Sequence, residues 1–204
     1  MDFLLNQNIQ FYIAAYMIGG IPFGLILAKL FAGVNIIESG SKSIGATNVL
    51  RVLKESNPSL AKKVSAATLL LDALKGVIAL VIAQLMGASD SVLWAMAVLA
   101  VVGHCFSPFL MFEGGKGVAT GMGVSMFMLP IETLIGVAAW FILAKSVRIS
   151  SLSSMGGLAA VIAAFYILQP ETPHAPMILI AFFIFYKHIP NFVRLFQGKE
   201  KRVV

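Results

Sequence analysis

Long apolar runs alternate with short polar stretches along the whole chain. The runs cover about 10–30, 64–86, 92–111, 117–143, 152–168 and 175–189. A helix that crosses a membrane needs about 20 consecutive apolar residues, so these runs indicate several membrane-spanning helices. The pattern predicts an all-α, polytopic membrane helix bundle that occupies residues 1–204 as a single integral membrane domain.

The run over 117–143 contains Pro130 and Glu132, and a proline disrupts the interior of a helix. We therefore divide it into spans 117–129 and 131–147, which gives seven spans rather than five or six. Charge supports the division, because one unbroken span would place the basic residues that follow on the other side. Spans four and six are short. Thirteen helical residues rise only about 20 Å against a hydrocarbon core of about 30 Å, so neighbouring helices must shelter them.

Composition supports a membrane protein. Apolar residues make up 59% of the chain and charged residues 12%, and the mean hydropathy is +0.91. Soluble domains are about 45–50% apolar and about 25% charged, so the composition excludes both an ordinary soluble globule and a disordered chain. The single cysteine, Cys105, excludes an internal disulfide framework.

The basic residues fall on one side of the predicted membrane. Fifteen Lys and Arg stand against nine Asp and Glu, a net charge of +6. With seven spans, one set of loops holds Lys42, Arg51, Lys54, Lys62, Lys63, Lys116, Arg148, Arg194, Lys199, Lys201 and Arg202. The opposite loops hold no Lys or Arg, only Asp2, Asp90, Glu132 and Glu171. The positive-inside rule then predicts an outside N-terminus and a cytoplasmic C-terminus. In a membrane protein, this surplus of basic residues indicates the membrane topology and suggests that the protein binds an anionic lipid or substrate, not a nucleic acid.

The longest polar stretch contains small residues, hydroxyls and two cations over 39–51. Small residues let backbone N–H groups point at an anion, and cations strengthen such contacts. We interpret the stretch as a phosphate cradle; the alternative is a flexible interhelical loop capped by Ser and Asn. It is no nucleotide P-loop, because Ala46 stands where that motif requires lysine. The candidate residues are Ser41, Lys42, Thr47, Asn48 and Arg51.

Three further polar groups lie on the same predicted side. Gly114–Gly117 includes Lys116 and directly precedes a helix, which suits a phosphate; the alternative is a turn with a positive-inside lysine. The serines of 150–154 begin a helix, and the alternative is a simple N-cap. The remaining group lies on the last helix and comprises His188, Asn191 and Arg194. Their i, i+3 and i+6 spacing allows them to share one helix face; the alternative is a helix end at the membrane interface that binds lipid headgroups.

Asp72 and Lys75 lie within the second span, three residues apart on one helix face. Ionisable residues inside a membrane are functional candidates; the alternative is mutual neutralisation that anchors helix packing. His104 is better interpreted as a hydrogen-bonding residue of the packed interior. No spacing of Cys, His, Asp and Glu is typical of a metal site, and we expect no metal and no cofactor.

Five motifs, in this order, resemble one family. Their combination is similar to the bacterial acyl-phosphate:glycerol-3-phosphate acyltransferases (the PlsY family), from the first span to the C-terminal tail. The motifs are Gly45-Ala46-Thr47-Asn48-Val49-Leu50-Arg51, Asp72-Ala73-Leu74-Lys75-Gly76, Gly103-His104, Gly114-Gly115-Lys116-Gly117-Val118-Ala119-Thr120, and His188-x2-Asn191-x2-Arg194.

The resemblance implies a seven-helix enzyme of the bacterial inner membrane, with its active site facing the cytoplasm. It implies transfer of a fatty acyl group from acyl phosphate to position 1 of sn-glycerol 3-phosphate. The products would be lysophosphatidic acid and phosphate, in the first step of phospholipid synthesis. A further expectation is functional coupling to the phosphate acyltransferase that forms acyl phosphate.

Two sets of site residues follow as expectations. The phosphate-binding set is Ser41, Thr47, Asn48, Arg51, Gly115, Lys116, Gly117, Ser151, His188, Asn191 and Arg194. The catalytic set is Ser41, Thr47, Asn48, Arg51, Lys116, Ser154, His188 and Asn191. No general base is paired with a nucleophile in these loops, which favours proton transfer to the donor's own phosphate.

Two other classes compete with an enzyme. A transporter of organic anions or phosphate would explain the intramembrane ion pair and the broken run at Pro130, but the chain has no internal repeat. A non-catalytic lipid-binding or assembly factor would explain the basic tail 198–202, yet it leaves Gly45–Asn48 without a role.

Overall fold

The structure, a computed structural model, describes residues 5–200. Over this range it is helical, without a strand. The nine α-helices described are α1 (Gln7–Gly20), α2 (Phe23–Ala32), α3 (Ala46–Lys54), α4 (Pro58–Leu85), α5 (Asp90–Cys105), α6 (Val118–Met128), α7 (Pro130–Ser146), α8 (Ser150–Leu168) and α9 (Ala175–Phe196). A 3₁₀ helix, Pro108–Leu110, follows α5. Asp2, Lys201 and Arg202, which enter the charge argument, lie outside the described residues.

Five stretches within residues 5–200 are long and apolar enough to cross a membrane. They are Gln7–Ala32, Pro58–Leu85, Asp90–Leu110, Ser150–Leu168 and Ala175–Phe196, and Val118–Met128 is a shorter apolar helix. The prediction of an all-helical membrane protein is therefore confirmed. The division at Pro130 is also confirmed, because α6 ends at Met128 and α7 begins at Pro130. Proline suits a first helical position, where its missing N–H has no partner to lose.

The structure corrects two details of the predicted spans. The sixth span is not short: α8 has 19 residues, because Ser150 and Ser151 belong to its first turn. The short helices are α6 and α7, with 11 and 17 residues, which rise about 17 and 25 Å. The first span is not one continuous helix either, since it breaks at Ile21 and Pro22.

The described chain forms two compact units, residues up to Val124 and residues from Ser125, divided within α6. In the first unit, α1 and α5 cross at small residues. A Cβ atom on Gly19 would overlap the backbone of Ala100, and one on Gly103 would overlap the carbonyl of Tyr16. Small residues allow helix backbones in a membrane to approach this closely.

An amphipathic helix, α3, packs its apolar side against α2 and α4 in the first unit. The buried cluster beneath it comprises Leu25, Ala28, Ile36, Ile44, Val49, Leu53, Ala61 and Val64. Burial of such side chains stabilises a fold by about 1.5–3 kcal/mol each. This cluster anchors both α3 and the polar loop that precedes it.

In the second unit, α7 and α8 pack closely at Gly136 and Gly157, where an added Cβ would meet the opposite backbone. Gln169 Nε2 donates to Glu132 Oε1 at 2.8 Å, which joins the start of α7 to the end of α8. Ser125 Oγ lies 3.7 Å from Met177 Sδ of α9. The first two contacts join α7 to α8, the third joins the end of α6 to α9, and α9 also packs against α8.

Candidate active site

Asn48 organises the first polar loop from within. Its side chain is 1% exposed, and its amide nitrogen donates to the carbonyls of Ile36, Ser39 and Ser43 at 2.9, 3.2 and 2.8 Å. Its amide oxygen accepts from the backbone N–H of Ser41 at 2.7 Å. A Cβ on Gly40 would overlap that same oxygen, and Gly40 has a φ of +63°. The loop is therefore wrapped tightly around one buried side chain.

The same loop leads into α3, which carries the other candidate residues. Ser65 Oγ on α4 donates to the Ala46 carbonyl at 2.8 Å and fixes the first turn of α3. Thr47 lies in that turn and Arg51 in the last, both partly exposed. A rigid loop and a short, packed helix thus present a hydroxyl and a guanidinium, as an anion site needs.

A buried ion pair lies in α4. Lys75 Nζ donates to Asp72 Oδ1 at 2.8 Å, and both side chains are almost fully buried. The predicted pairing on one helix face is confirmed. Lys75 Nζ also donates to the Ile21 carbonyl at 2.9 Å. This carbonyl lies at the break between α1 and α2, where it also accepts from the N–H of Phe23 at 3.1 Å. His104 joins the pair, with its Nδ1 2.9 Å from Lys75 Nζ.

The glycine loop Gly114–Gly117 folds against the end of α5. The N–H of Gly115 donates to the His104 carbonyl at 2.9 Å. Gly117 has a φ of +79°, a conformation that favours glycine, and α6 begins one residue later. Lys116 is partly exposed between two buried glycines, so the loop holds its backbone closely.

In the second unit, Ser151, Asn191 and Arg194 surround one carboxylate. Ser151 Oγ donates to Glu200 Oε1 at 3.1 Å, and Asn191 Nδ2 donates to the same oxygen at 2.6 Å. Arg194 Nε donates to Glu200 Oε2 at 2.8 Å. Gly198, with a φ of +66°, turns the chain back after α9 and so brings Glu200 to these donors. The three predicted phosphate ligands therefore form one anion-binding group.

The charge state of Glu200 follows from these contacts. Burial would raise the pKa of its carboxyl, but the hydrogen bonds from Asn191 and Arg194, with the charge of Arg194, hold that pKa below its usual value. The folded state therefore favours the ionised carboxylate.

His188 and Ser154 are also buried in the second unit, 2% and 8% exposed. His188 Nδ1 lies 2.7 Å from the Ile184 carbonyl. Because a carbonyl only accepts, Nδ1 carries the hydrogen and Nε2 of a neutral ring is the acceptor.

Sequence reasoning missed α3, Glu200 and the contact of His104 with the ion pair. The amphipathic α3 is short and polar overall, so it looked like loop. Glu200 follows the end of a helix, where no periodicity marks which residues meet. The signal available in the sequence was that Glu200 is an acidic residue within the basic tail 198–202. No group of three or more His, Cys, Asp or Glu suited to a metal occurs among residues 5–200.

This fold and these sites define a class of protein: a membrane protein with interrupted helices and with loops of small residues that carry cations. The family model described as "Glycerol-3-phosphate acyltransferase" matches residues 9–198. The chain belongs to this family.

Curated relatives with the same name match this chain over all or nearly all of their length. The protein of Sulfurimonas denitrificans is 65% identical over 204 residues, and all of both chains is covered. That of Nitratiruptor sp. is 58% identical over 207 residues, with 100% of this chain and 99% of the relative covered.

Two solved structures are also similar, both of PlsY (YgiH), described as an integral membrane glycerol 3-phosphate acyltransferase. Its glycerol 3-phosphate form has a TM-score of 0.88 and 33% identity, covering 98% of this chain and 96% of that one. Its lysophosphatidic acid form has a TM-score of 0.81 and 33% identity, covering 97% and 95%. None of these similarities supports a transporter.

We predict that Asn48→Asp disrupts the first loop. The substitution removes the donors to three carbonyls and places a carboxylate against them, which lowers the free energy of unfolding by about 3 kcal/mol or more. Thermal unfolding in detergent and protease cleavage within 36–45 measure the effect. Asn57→Asp is the matched control, because Asn57 caps α4 by accepting from Leu60 N at 3.0 Å and aspartate caps equally well. Equal stability of the two variants would contradict the organising role of Asn48.

We also predict that Glu200→Gln changes the pH dependence of stability. Since the folded-state pKa is depressed, the stability contributed by Glu200 is present above its usual pKa, 4.5, and is lost as the pH falls from that value through the lower folded-state pKa. The variant should unfold at a lower temperature than wild type at pH 7, and the gap should narrow near pH 3.5. Glu171→Gln, at an exposed turn residue, is the control. A gap of the same size at both pH values would refute the charge argument.

Proposed function

We propose that this protein transfers a fatty acyl group from acyl phosphate to position 1 of sn-glycerol 3-phosphate, giving lysophosphatidic acid and phosphate. The observation that carries the proposal is that the first unit holds two rigid loops, 39–45 and 114–117, each beside a cation. Such loops suit phosphate groups, which both substrates carry. The two forms of the related PlsY structure, with glycerol 3-phosphate and with lysophosphatidic acid, support this substrate and this product.

In the first unit, Arg51 and Lys116 bind phosphate through charge. Ser41 and Thr47 add hydroxyl donors. Gly115, whose N–H is bound to the His104 carbonyl, and Gly117 let the loop backbone come close to the phosphate. Asn48, whose amide is already engaged by the loop backbone, contributes by holding the loop 39–45 in place. Donors fixed before the substrate binds need no reorganisation during the reaction.

In the second unit, Asn191 and Arg194 bind phosphate through N–H groups that Glu200 does not use, from positions that Glu200 fixes. Ser151, whose one hydroxyl hydrogen goes to Glu200, helps to hold that carboxylate in place. His188 and Ser154 supply further hydrogen bonds to phosphate or to the developing acyl oxyanion. Because acyl phosphate is already activated, orientation and charge stabilisation suffice, without a covalent nucleophile.

The reaction proceeds in one displacement. The 1-hydroxyl oxygen of glycerol 3-phosphate attacks the acyl carbonyl carbon, and the bond from that carbon to the phosphate oxygen breaks. The departing phosphate takes the hydroxyl proton. The reaction therefore requires no metal and no cofactor.

We further propose that the chain is one integral domain of a bacterial inner membrane. It crosses the membrane seven times, with short α6 and α7, an outside N-terminus, a cytoplasmic C-terminus and its active site at the cytoplasmic face. The one-sided placement of basic residues supports this topology.

Labelling of introduced cysteines tests the topology, since the native Cys105 is fully buried. A membrane-impermeant maleimide should label Asp90→Cys and Glu171→Cys in intact spheroplasts. Lys54→Cys and Ser146→Cys should react only after the membrane is opened. Labelling of Asp90→Cys and Glu171→Cys from opposite sides would refute seven spans.

Acyl transfer by the purified protein tests the activity. In detergent, palmitoyl phosphate with glycerol 3-phosphate should yield phosphate and lysophosphatidic acid in equal amounts, and palmitoyl-CoA should yield none. Lys116→Ala should lower kcat/KM at least 100-fold, about 2.7 kcal/mol or more. Lys63→Ala, an exposed lysine at the start of α4, should change it less than twofold.

Folded wild-type protein that is inactive with palmitoyl phosphate but active with palmitoyl-CoA would overturn the choice of donor. Loss of turnover in His188→Gln with unchanged substrate binding, together with loss of the histidine limb of the pH–rate profile, would replace donor-assisted proton transfer by general-base catalysis. We also propose that a phosphate acyltransferase that forms acyl phosphate supplies the donor to this protein, because acyl phosphate must be made before it is used.

A further inference from the structure

The ion pair in α4 and its histidine have no part in the proposed chemistry, although burying them is unfavourable. Asp72, Lys75 and His104 are 1%, 3% and 2% exposed. Charges in such surroundings persist only when they are well partnered. Their contacts therefore indicate what the cluster does.

The contacts of Lys75 determine the tautomer of His104. The ammonium has three hydrogens, and three acceptors lie around it: Asp72 Oδ1 at 2.8 Å, the Ile21 carbonyl at 2.9 Å and His104 Nδ1 at 2.9 Å. An ammonium only donates, so Nδ1 of His104 accepts and the ring hydrogen sits on Nε2. A neutral ring also leaves the cluster without net charge, as its burial requires.

The Nε2 edge of His104 faces the glycine loop. A Cβ atom added to Gly115 would overlap Nε2, and one added to Gly114 would overlap the His104 carbonyl. That carbonyl accepts from the N–H of Gly115 at 2.9 Å. The loop therefore contacts His104 through both its ring and its backbone, directly before Lys116.

The cluster also reaches the helix that follows the loop. Thr120 Oγ1 on α6 donates to the Asp72 carbonyl at 2.8 Å. The segment that bears Lys116 is thus held at its start by His104 on α5 and just after its end by Asp72 on α4. All of these residues lie in the first unit.

We propose that His104, oriented by Lys75 and Asp72, is a positioning residue that sets the place of the Gly114–Gly117 loop and so of Lys116. It acts as a neutral ring with the hydrogen on Nε2. The inference rests on the proposed phosphate-binding role of Lys116. The buried cluster of Asp72, Lys75 and His104 then serves to position Lys116, in addition to its role in helix packing.

Two substitutions of His104 separate its two edges. The amide of Gln reaches the place of Nε2, so His104→Gln keeps a donor toward the loop. The amide of Asn reaches only the place of Nδ1, so His104→Asn keeps an acceptor for Lys75 and loses the loop contact. With palmitoyl phosphate and glycerol 3-phosphate, kcat/KM should fall at least tenfold in His104→Asn and less than threefold in His104→Gln. His174→Asn, which alters a ring stacked on Tyr166 in the second unit, should leave it unchanged.

A double-mutant cycle with Lys116→Ala shows whether His104 acts through the lysine. With radiolabelled glycerol 3-phosphate to follow residual turnover, His104→Asn should lower kcat/KM less than twofold when Lys116 is already absent. The same factor in both backgrounds would overturn the proposal, as would equal activity of the Asn and Gln variants.

Gly115→Ala provides a second route if His104→Asn does not fold. The added methyl pushes the loop from the ring while the contacts of Lys75 remain. It should lower kcat/KM at least tenfold and raise the rate of amide exchange in the loop, and wild-type values for both would refute the proposal. Failure of the proposed function looks different, because wild-type protein would then produce no lysophosphatidic acid from acyl phosphate.

Discussion

Polar groups inside an apolar helix bundle must find their partners within the protein, because hydrocarbon offers no hydrogen bonds. The break between α1 and α2 leaves the Ile21 carbonyl without the i+4 donor of a continuous helix, and Lys75 and the N–H of Phe23 donate to it instead. Lys75 needs a counter-charge, and Asp72 supplies it from the same helix face. The interruption of a membrane helix is thus joined to a buried pair of charges, and His104 on α5 and Thr120 on α6 contact the same two residues.

Satisfied polar groups also make the candidate site rigid. The loop around Asn48 cannot move without breaking hydrogen bonds inside the protein, and an unpaired buried donor or acceptor costs about 1–3 kcal/mol. The same applies to Gly115, whose N–H is bound to the His104 carbonyl. Because these bonds form when the protein folds, substrate binding does not have to order the loops. For the proposed transfer from an activated donor, such preorganisation is the main contribution that a protein can make.

Much of this architecture is predictable from the sequence, because its causes are local or periodic. Long apolar runs predict the long helices, Pro130 predicts the division of one run, and the i, i+3 spacing predicts the pair of Asp72 and Lys75. The break at Pro22 was not foreseen, since a helix that continues past a proline gives a similar apolar run. The length of α8 was underestimated because serines are weak helix formers whose place in a first turn depends on the chain before them.

The site is predictable in its residue types but not in its partners. Small residues and cations in the loops indicate an anion, whereas the role of Asn48 depends on which carbonyls the folded loop turns inward. The contact of His104 with the glycine loop joins residues that only the fold brings together.

Glu200 shows that the number of cations in a site does not by itself give the charge that the site offers to an anion. Its carboxylate compensates the charge of Arg194 at 2.8 Å, and its side chain is 8% exposed. Arg194 then contributes fixed geometry more than net charge, and only its Nε is used by Glu200. Arg51, by contrast, makes no ion pair with any residue in 5–200, so its full charge is available to an anion. In the proposed function, Arg51 would therefore act on an anion by attraction and Arg194 by orientation, a difference in role that the residue type alone does not reveal.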